Sequence, residues 1–203
     1  MKNPFLKIIL LAAALWLPAF SHAGKNILVF GDSLSAGYGI AVAESWPVLL
    51  RQTLQKSHPQ FDVVNASISG ETAAGGLRRI EKLLRQHQPA IVIIELGAND
   101  GLRGSRTADI EANLGEIISQ VKRTRAQVLL VGMELPPNYG QAYTVQFRKI
   151  FPGLAEKHGA KLLPFLLEGV APEQFQRDNL HPTATAQPRI MRSVLKKLEP
   201  MLR

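Results

Sequence analysis

The stretch Ala90-Ile91-Val92-Ile93-Ile94-Glu95-Leu96 is apolar at all but one position. A strand with one wet face alternates apolar and polar residues. A nearly unbroken β-branched run belongs to a strand covered on both faces, as in a parallel sheet between helical layers. Working outward from it, Asn26 to Phe30, Phe61 to Asn65, Gln127 to Met133 and Lys161 to Phe165 read as further strands. Amphipathic segments lie between and after them, at Glu44 to Ser57, Thr72 to Gln88, Thr107 to Arg125, Gln141 to His158 and Thr183 to Leu202. Strand–helix alternation with short connections predicts one α/β domain, a parallel sheet with helices on both faces. No repeat, linker or low-complexity segment interrupts it.

In such sheets a ligand sits beyond the carboxyl ends of the strands, near the switch point in strand order. The residues following the strands are therefore the ones to inspect. They are Gly31-Asp32-Ser33 after the first, Ala66 to Gly70 after the second, Gly97-Ala98-Asn99-Asp100 after the third and Glu134-Leu135-Pro136-Pro137 after the fourth. This rim offers a hydroxyl, a glycine amide and a carboxamide. Serine attacks only when a base takes its proton, so Ser33 needs a histidine. His22 lies in the N-terminal leader, and His58, His87 and His158 read as exposed residues near helix ends. His181 differs, in the polar segment Asp178-Asn179-Leu180-His181-Pro182 ahead of the last helix. Residues three apart on one turn point the same way, which places Asp178 to accept the Nδ1 proton and turn Nε2 towards Ser33. On spacing alone the pair reads equally well as a helix-start acid and a loop histidine. Donors for an oxyanion would be the Ser33 amide, the Gly70 amide and the Asn99 carboxamide; in isolation Gly70 and Asn99 also read as ordinary turn residues. A four-residue string such as Gly31-Asp32-Ser33-Leu34 arises by chance in roughly one chain in a few hundred, so its place directly after the first strand carries more weight than the string.

The N-terminus has its own logic. Lys2 and Lys7 precede an apolar run, Ile8 to Leu17, which Pro18 ends, and Ser21-His22-Ala23 sets small residues at the −3 and −1 positions of a cleavage site. This predicts a signal peptide over residues 1–23, cleaved after Ala23, and an exported, periplasmic domain over 24–203. Ten apolar residues are too few to span a bilayer, so no stable membrane insertion is expected after cleavage. Removing Lys2 and Lys7 leaves 22 of the 24 basic residues against 16 acids, a net of +6. The basic residues are scattered over helices without interleaved aromatics, which argues against nucleic acid as a partner and is compatible with anionic lipid surfaces. With no cysteine, disulfides, thiolate zinc sites and a cysteine nucleophile are excluded. Asp178 and His181 lack the further ligands of a metal site, and a monomer is expected.

Together the blocks resemble the SGNH (GDSL) hydrolase superfamily, whose four blocks supply Ser, Gly, Asn and His. Here they are Ser33 in Val29 to Gly39, Gly70 in Asn65 to Thr72, Asn99 in Glu95 to Gly104, and Asp178 with His181. Leu135 to Gly140, Leu163-Pro164-Phe165 and His181-Pro182 add to the likeness, which runs from Asn26 to the C-terminus. The resemblance implies a flavodoxin-like three-layer α/β/α sandwich with a five-stranded parallel sheet and no cofactor. It further implies hydrolysis of acyl esters, thioesters and lysophospholipids, with Ser33, Asp178 and His181 as triad and Ser33, Gly70 and Asn99 as oxyanion and substrate-binding residues. Ala98 departs from a second glycine frequent in relatives, and Thr183-Ala184-Thr185 lacks the charges frequent after His-Pro. Both bear on substrate preference. The competing expectations are a carbohydrate acetylesterase and a non-catalytic acyl- or lipid-binding protein on the same scaffold.

Overall fold

The computed structural model describes residues 25–203; the expected leader, 1–23, lies outside them. Five strands, β1 (Lys25–Gly31), β2 (Phe61–Asn65), β3 (Ile91–Glu95), β4 (Gln127–Val131) and β5 (Lys161–Leu163), form an all-parallel sheet in the order β2-β1-β3-β4-β5. Every residue of β3 is buried, as its apolar run requires of a central strand. Helices α3 (Ala73–His87), α5 (Thr107–Arg123) and α6 (Gln141–His158) pack on one another, and α2 (Trp46–Ser57) packs on α7 (Gln187–Leu198), giving the layers on either side of the sheet. The flavodoxin-like sandwich is thus the observed fold. The chain leaves β1 for β2 on one side and then crosses to β3 on the other, so the switch point lies between β1 and β3. Ser33 and Asn99 leave from those two strands.

The element ends that differ from the sequence reading have local causes. The helix read from Glu44 begins at Trp46, because Pro47 lacks an N–H and favours the first turn; Val42–Glu44 is a separate 3-10 turn. Strand β5 stops at Leu163, since Pro164 has no N–H to continue the ladder. The last helix is 3-10 over Ala184–Ala186, α-helical over Gln187–Leu198, and tightens again at Pro200. Two short helices, α1 (Ser33–Ala36) and α4 (Ala98–Leu102), carry the site and were read as loop. Four or five residues are too few to show a 3.6-residue period.

Candidate active site

The turn after β1 is shaped by what lies beneath it. Gly31 pairs with Glu95 across β1 and β3, and a Cβ on Gly31 would fall 2.6 Å from Glu95 Oε2. Only glycine fits there. Asp32 then caps α1, its Oδ1 accepting the Leu34 N–H at 3.0 Å. Ser33 becomes the first residue of that helix, and its backbone N–H belongs to the helix-start donors that have no intrahelical acceptor. Its hydroxyl meets His181 Nε2 at 2.8 Å.

His181 is held from three directions. Its Nδ1 contacts Asp178 Oδ2 at 2.7 Å. Asp178 Oδ1 accepts the N–H groups of both Leu180 and His181, each at 3.0 Å, closing a tight turn in which Asn179 takes the left-handed conformation (φ 56°). Against a desolvation that raises it, the two amides and the imidazole hold the Asp178 carboxyl down at about 2. It is therefore an anion at neutral pH, held against the imidazole. The Tyr38 ring lies 4.5 Å from the imidazole, centre to centre, and Gln176 Nε2 donates to the carbonyls of Tyr38 and Pro182, tying the two loops together. Tyr38 and Gln176 were not singled out in the sequence. Neither has a motif signal of its own; they matter because loops far apart in the chain meet at the imidazole.

The donor side is built on the other rim loops. Gly70 adopts φ 79°, a conformation that strains any residue with a Cβ, and Arg103 holds its carbonyl. Among the described residues the Gly70 N–H has no protein acceptor. Asn99 leaves β3 on α4, whose cap, Gly97, is left-handed (φ 109°). Its Nδ2 donates to Asp32 Oδ2 and to the Glu71 carbonyl, both at 3.0 Å. Ala98, the departure from a second glycine, is the first residue of α4 and touches the cavity. Ser33, Gly70, Asn99 and His181 all line one cavity of about 410 Å³, whose apolar walls include Leu102, Met133, Leu135, Phe165, Leu167 and Phe175. Of the apolar residues on the rim loops, Leu102, Leu135 and Pro136 line it, while Ile68 stands outside, half exposed. His58 and His87 sit apart from the site at helix ends, as does His158, whose Nε2 is buried rather than exposed.

Below the serine lie two carboxyl groups, Asp32 (1% exposed) and Glu95 (fully buried). Burial pushes Asp32 up to about 6, opposed by the Leu34 amide, His181 and Asn99; burial and the neighbouring Asp32 charge push Glu95 well up. The folded protein therefore holds the Asp32 proton between about pH 4 and 6, where the unfolded chain has released it. Unfolding in that window loses a proton, so stability falls as pH rises through it. Urea midpoints measured at pH 4 and pH 7 are expected to fall less in Asp32→Asn than in the parent. An equal fall in both would remove Asp32 as the cause.

Residues 29–187 match the model of the GDSL-like lipase/acylhydrolase family. An arylesterase of Vibrio mimicus is 44% identical over 195 residues, covering 95% of this chain and 98% of that one. The thioesterase 1/protease 1/lysophospholipase L1 of Escherichia coli K12 is 42% identical over 201 residues, covering 98% and 92%. Among solved structures, that of TesA superposes with a TM-score of 0.85 at 42% identity, over 87% of this chain and 99% of that one. Four rim loops meeting at one switch point, in a chain matched almost end to end by such relatives, leave one assignment: the chain is an acyl hydrolase belonging to the GDSL-like lipase/acylhydrolase family.

Proposed function

We propose that the protein is an exported serine hydrolase of long-chain acyl esters, thioesters and lysophospholipids, acting as a monomer through an acyl-serine intermediate. The observation that carries the reading is the continuous contact from Ser33 Oγ to His181 Nε2 and from His181 Nδ1 to Asp178, opening into an apolar cavity. His181 takes the Ser33 proton as Oγ attacks the acyl carbonyl. The carbonyl oxygen, now negative, is received by the N–H groups of Ser33 and Gly70 and by Asn99. His181 then protonates the departing alcohol or thiol. Water enters, loses a proton to His181 and attacks the acyl-serine; the acid is released and Ser33 regains its proton.

The names of the relatives, arylesterase and thioesterase 1/lysophospholipase L1, support the ester and thioester classes. The walls support the acyl part, since each buried methylene gains about 0.8 kcal/mol, and an acetyl group would leave most of about 410 Å³ unfilled. That weighs against a carbohydrate acetylesterase. Export rests on the leader at 1–23; N-terminal sequencing of protein from the periplasmic fraction is expected to begin at Gly24, and a start at Met1 would remove it. An exported enzyme does not meet cytosolic coenzyme A thioesters, so lysophospholipids and esters are the expected natural substrates and acyl-CoA a substrate in vitro.

A panel of aryl ester, lysophospholipid and acyl-CoA with matched chains tests the reading. kcat/KM is expected to rise with chain length in all three series; highest turnover on acetyl esters would favour the carbohydrate reading instead. Asn99→Ala is expected to lower kcat by roughly two to three powers of ten with little change in KM, since the donor acts on charge that exists only in the transition state. A loss confined to KM would take Asn99 out of the oxyanion site.

A further inference from the structure

The mechanism above uses neither carboxyl of the buried pair beneath Ser33, yet both are costly to bury and neither faces a lysine or arginine. The charges acting on the pair are each other and, for Asp32, the His181 imidazole. Glu95 Oε2 accepts the Ser35 hydroxyl at 2.7 Å and the Asp32 N–H at 3.3 Å. Its other oxygen, Oε1, is buried and meets no N–H or O–H donor. The two side chains share one dry pocket, with the Asp32 backbone resting on Glu95 Oε2 and both groups shut off from solvent. Two carboxylates in so dry a pocket cannot both be ionised, and a carboxyl oxygen without a donor is satisfied if it bears a proton itself.

We propose that Asp32 and Glu95 hold one proton between them, carried on Glu95 and donated to Asp32, and that the Asp32 carboxylate so held is the positioning residue for Asn99. The chemistry of the carboxamide is the reason. An amide side chain presents NH2 on one side and C=O on the other, and only the NH2 can serve an oxyanion. Asp32 Oδ2, an acceptor, receives one Asn99 hydrogen at 3.0 Å and thereby selects the rotamer with Nδ2 facing Ser33. The second hydrogen rests on the Glu71 carbonyl, beside Gly70, and is the one a developing oxyanion takes over. A protonated Glu95 prevents a second charge from forming beneath Asp32. It also leaves Asp32 ionised against the same burial. The unpartnered pair thus costs stability and contributes an oriented donor.

The inference rests on Asn99 serving the oxyanion, and three measurements separate it from that reading. Infrared difference spectra at pH 7 between the parent and Glu95→Gln are expected to show the C=O stretch of a protonated carboxylic acid, lost in the variant; its absence from the parent overturns the shared proton, whatever the enzyme's activity. Asp32→Asn sets NH2 against NH2 at Asn99 and is expected to lower kcat roughly 10- to 100-fold, less than loss of the donor itself, with KM within about twofold and a melting temperature no lower than the parent's. An unchanged kcat, or a loss that merely follows a drop in melting temperature, overturns the positioning role. At Glu95, Gln keeps a donor towards Asp32 and Leu does not, so Glu95→Gln is expected to retain at least tenfold more kcat than Glu95→Leu; equal values overturn the part given to Glu95. Ser33 in all these variants is still expected to be captured by a fluorophosphonate, and if the parent itself is not captured, the failure lies with the serine and not with the pair.

Discussion

Ser33→Ala is expected to lower kcat on a p-nitrophenyl acyl ester by on the order of four to six powers of ten while leaving the fold unchanged. The size follows from the mechanism. Without Oγ no acyl-enzyme forms, and what remains is hydrolysis by water aided only by the oxyanion donors and the acyl cavity, which in serine hydrolases still give roughly 10³- to 10⁴-fold over solution. The fold is spared because Ser33 contributes its backbone to α1 and, among the described residues, its hydroxyl hydrogen-bonds to His181 alone. The reading is checked by kcat, by circular dichroism and by covalent labelling with a fluorophosphonate, which the parent takes up at Ser33 and the variant does not. Undiminished turnover by Ser33→Ala would sink the assignment. Labelling of the parent also separates an enzyme from an acyl-binding protein on the same scaffold, since binding alone does not activate a serine.

His181→Ala is expected to cost almost as much, and the informative measurement is the double variant. In the proposed mechanism Ser33 and His181 act in one step, proton transfer concerted with attack. Removing either therefore disables the step that the other serves, and Ser33→Ala/His181→Ala is expected to be no slower than the worse single variant within about threefold. Losses that multiply would show the histidine acting elsewhere. The loop itself is expected to survive the substitution. Its turn is closed by Asp178 on the backbone N–H groups of residues 180 and 181, and residue 176 donates its N–H to the carbonyl of residue 181 at 2.8 Å. None of these bonds needs the imidazole. The Tyr38 ring, Asp178 Oδ2 and the Ser33 hydroxyl each lose the imidazole as a neighbour.

Much of this was legible before any coordinates because the cues were local. The β3 run is apolar since that strand is buried on both sides, and burial selects residues one position at a time. The rim residues follow from topology, because a parallel sheet delivers every strand end to one edge, where Ser33 and Asn99 meet. The Asp178–His181 contact is a four-residue turn, so its i, i+3 spacing allowed the geometry without deciding it against an ordinary loop. Spacing within a block could not show that a histidine 148 positions away reaches Ser33 at 2.8 Å.

The residues that went unread are those whose meaning lies in a neighbour from another part of the chain. Glu95 is the one polar residue in the apolar run and nothing local names its partners, whereas it is fully buried against Asp32 and Ser35. Asp32 belongs to the motif, yet nothing in Gly31-Asp32-Ser33-Leu34 says that its two oxygens divide between capping α1 and holding Asn99. Tyr38 and Gln176 are ordinary loop residues until the loop after β1 and the loop before the last helix are brought together. Hydrophobic period and chain order sufficed for the sheet, its layers and the rim at which each block emerges, while the expected nucleophile, base and donors came from the resemblance those blocks carry. How the groups are aimed, and at what cost in buried charge, depends on contacts between distant segments that no local pattern records.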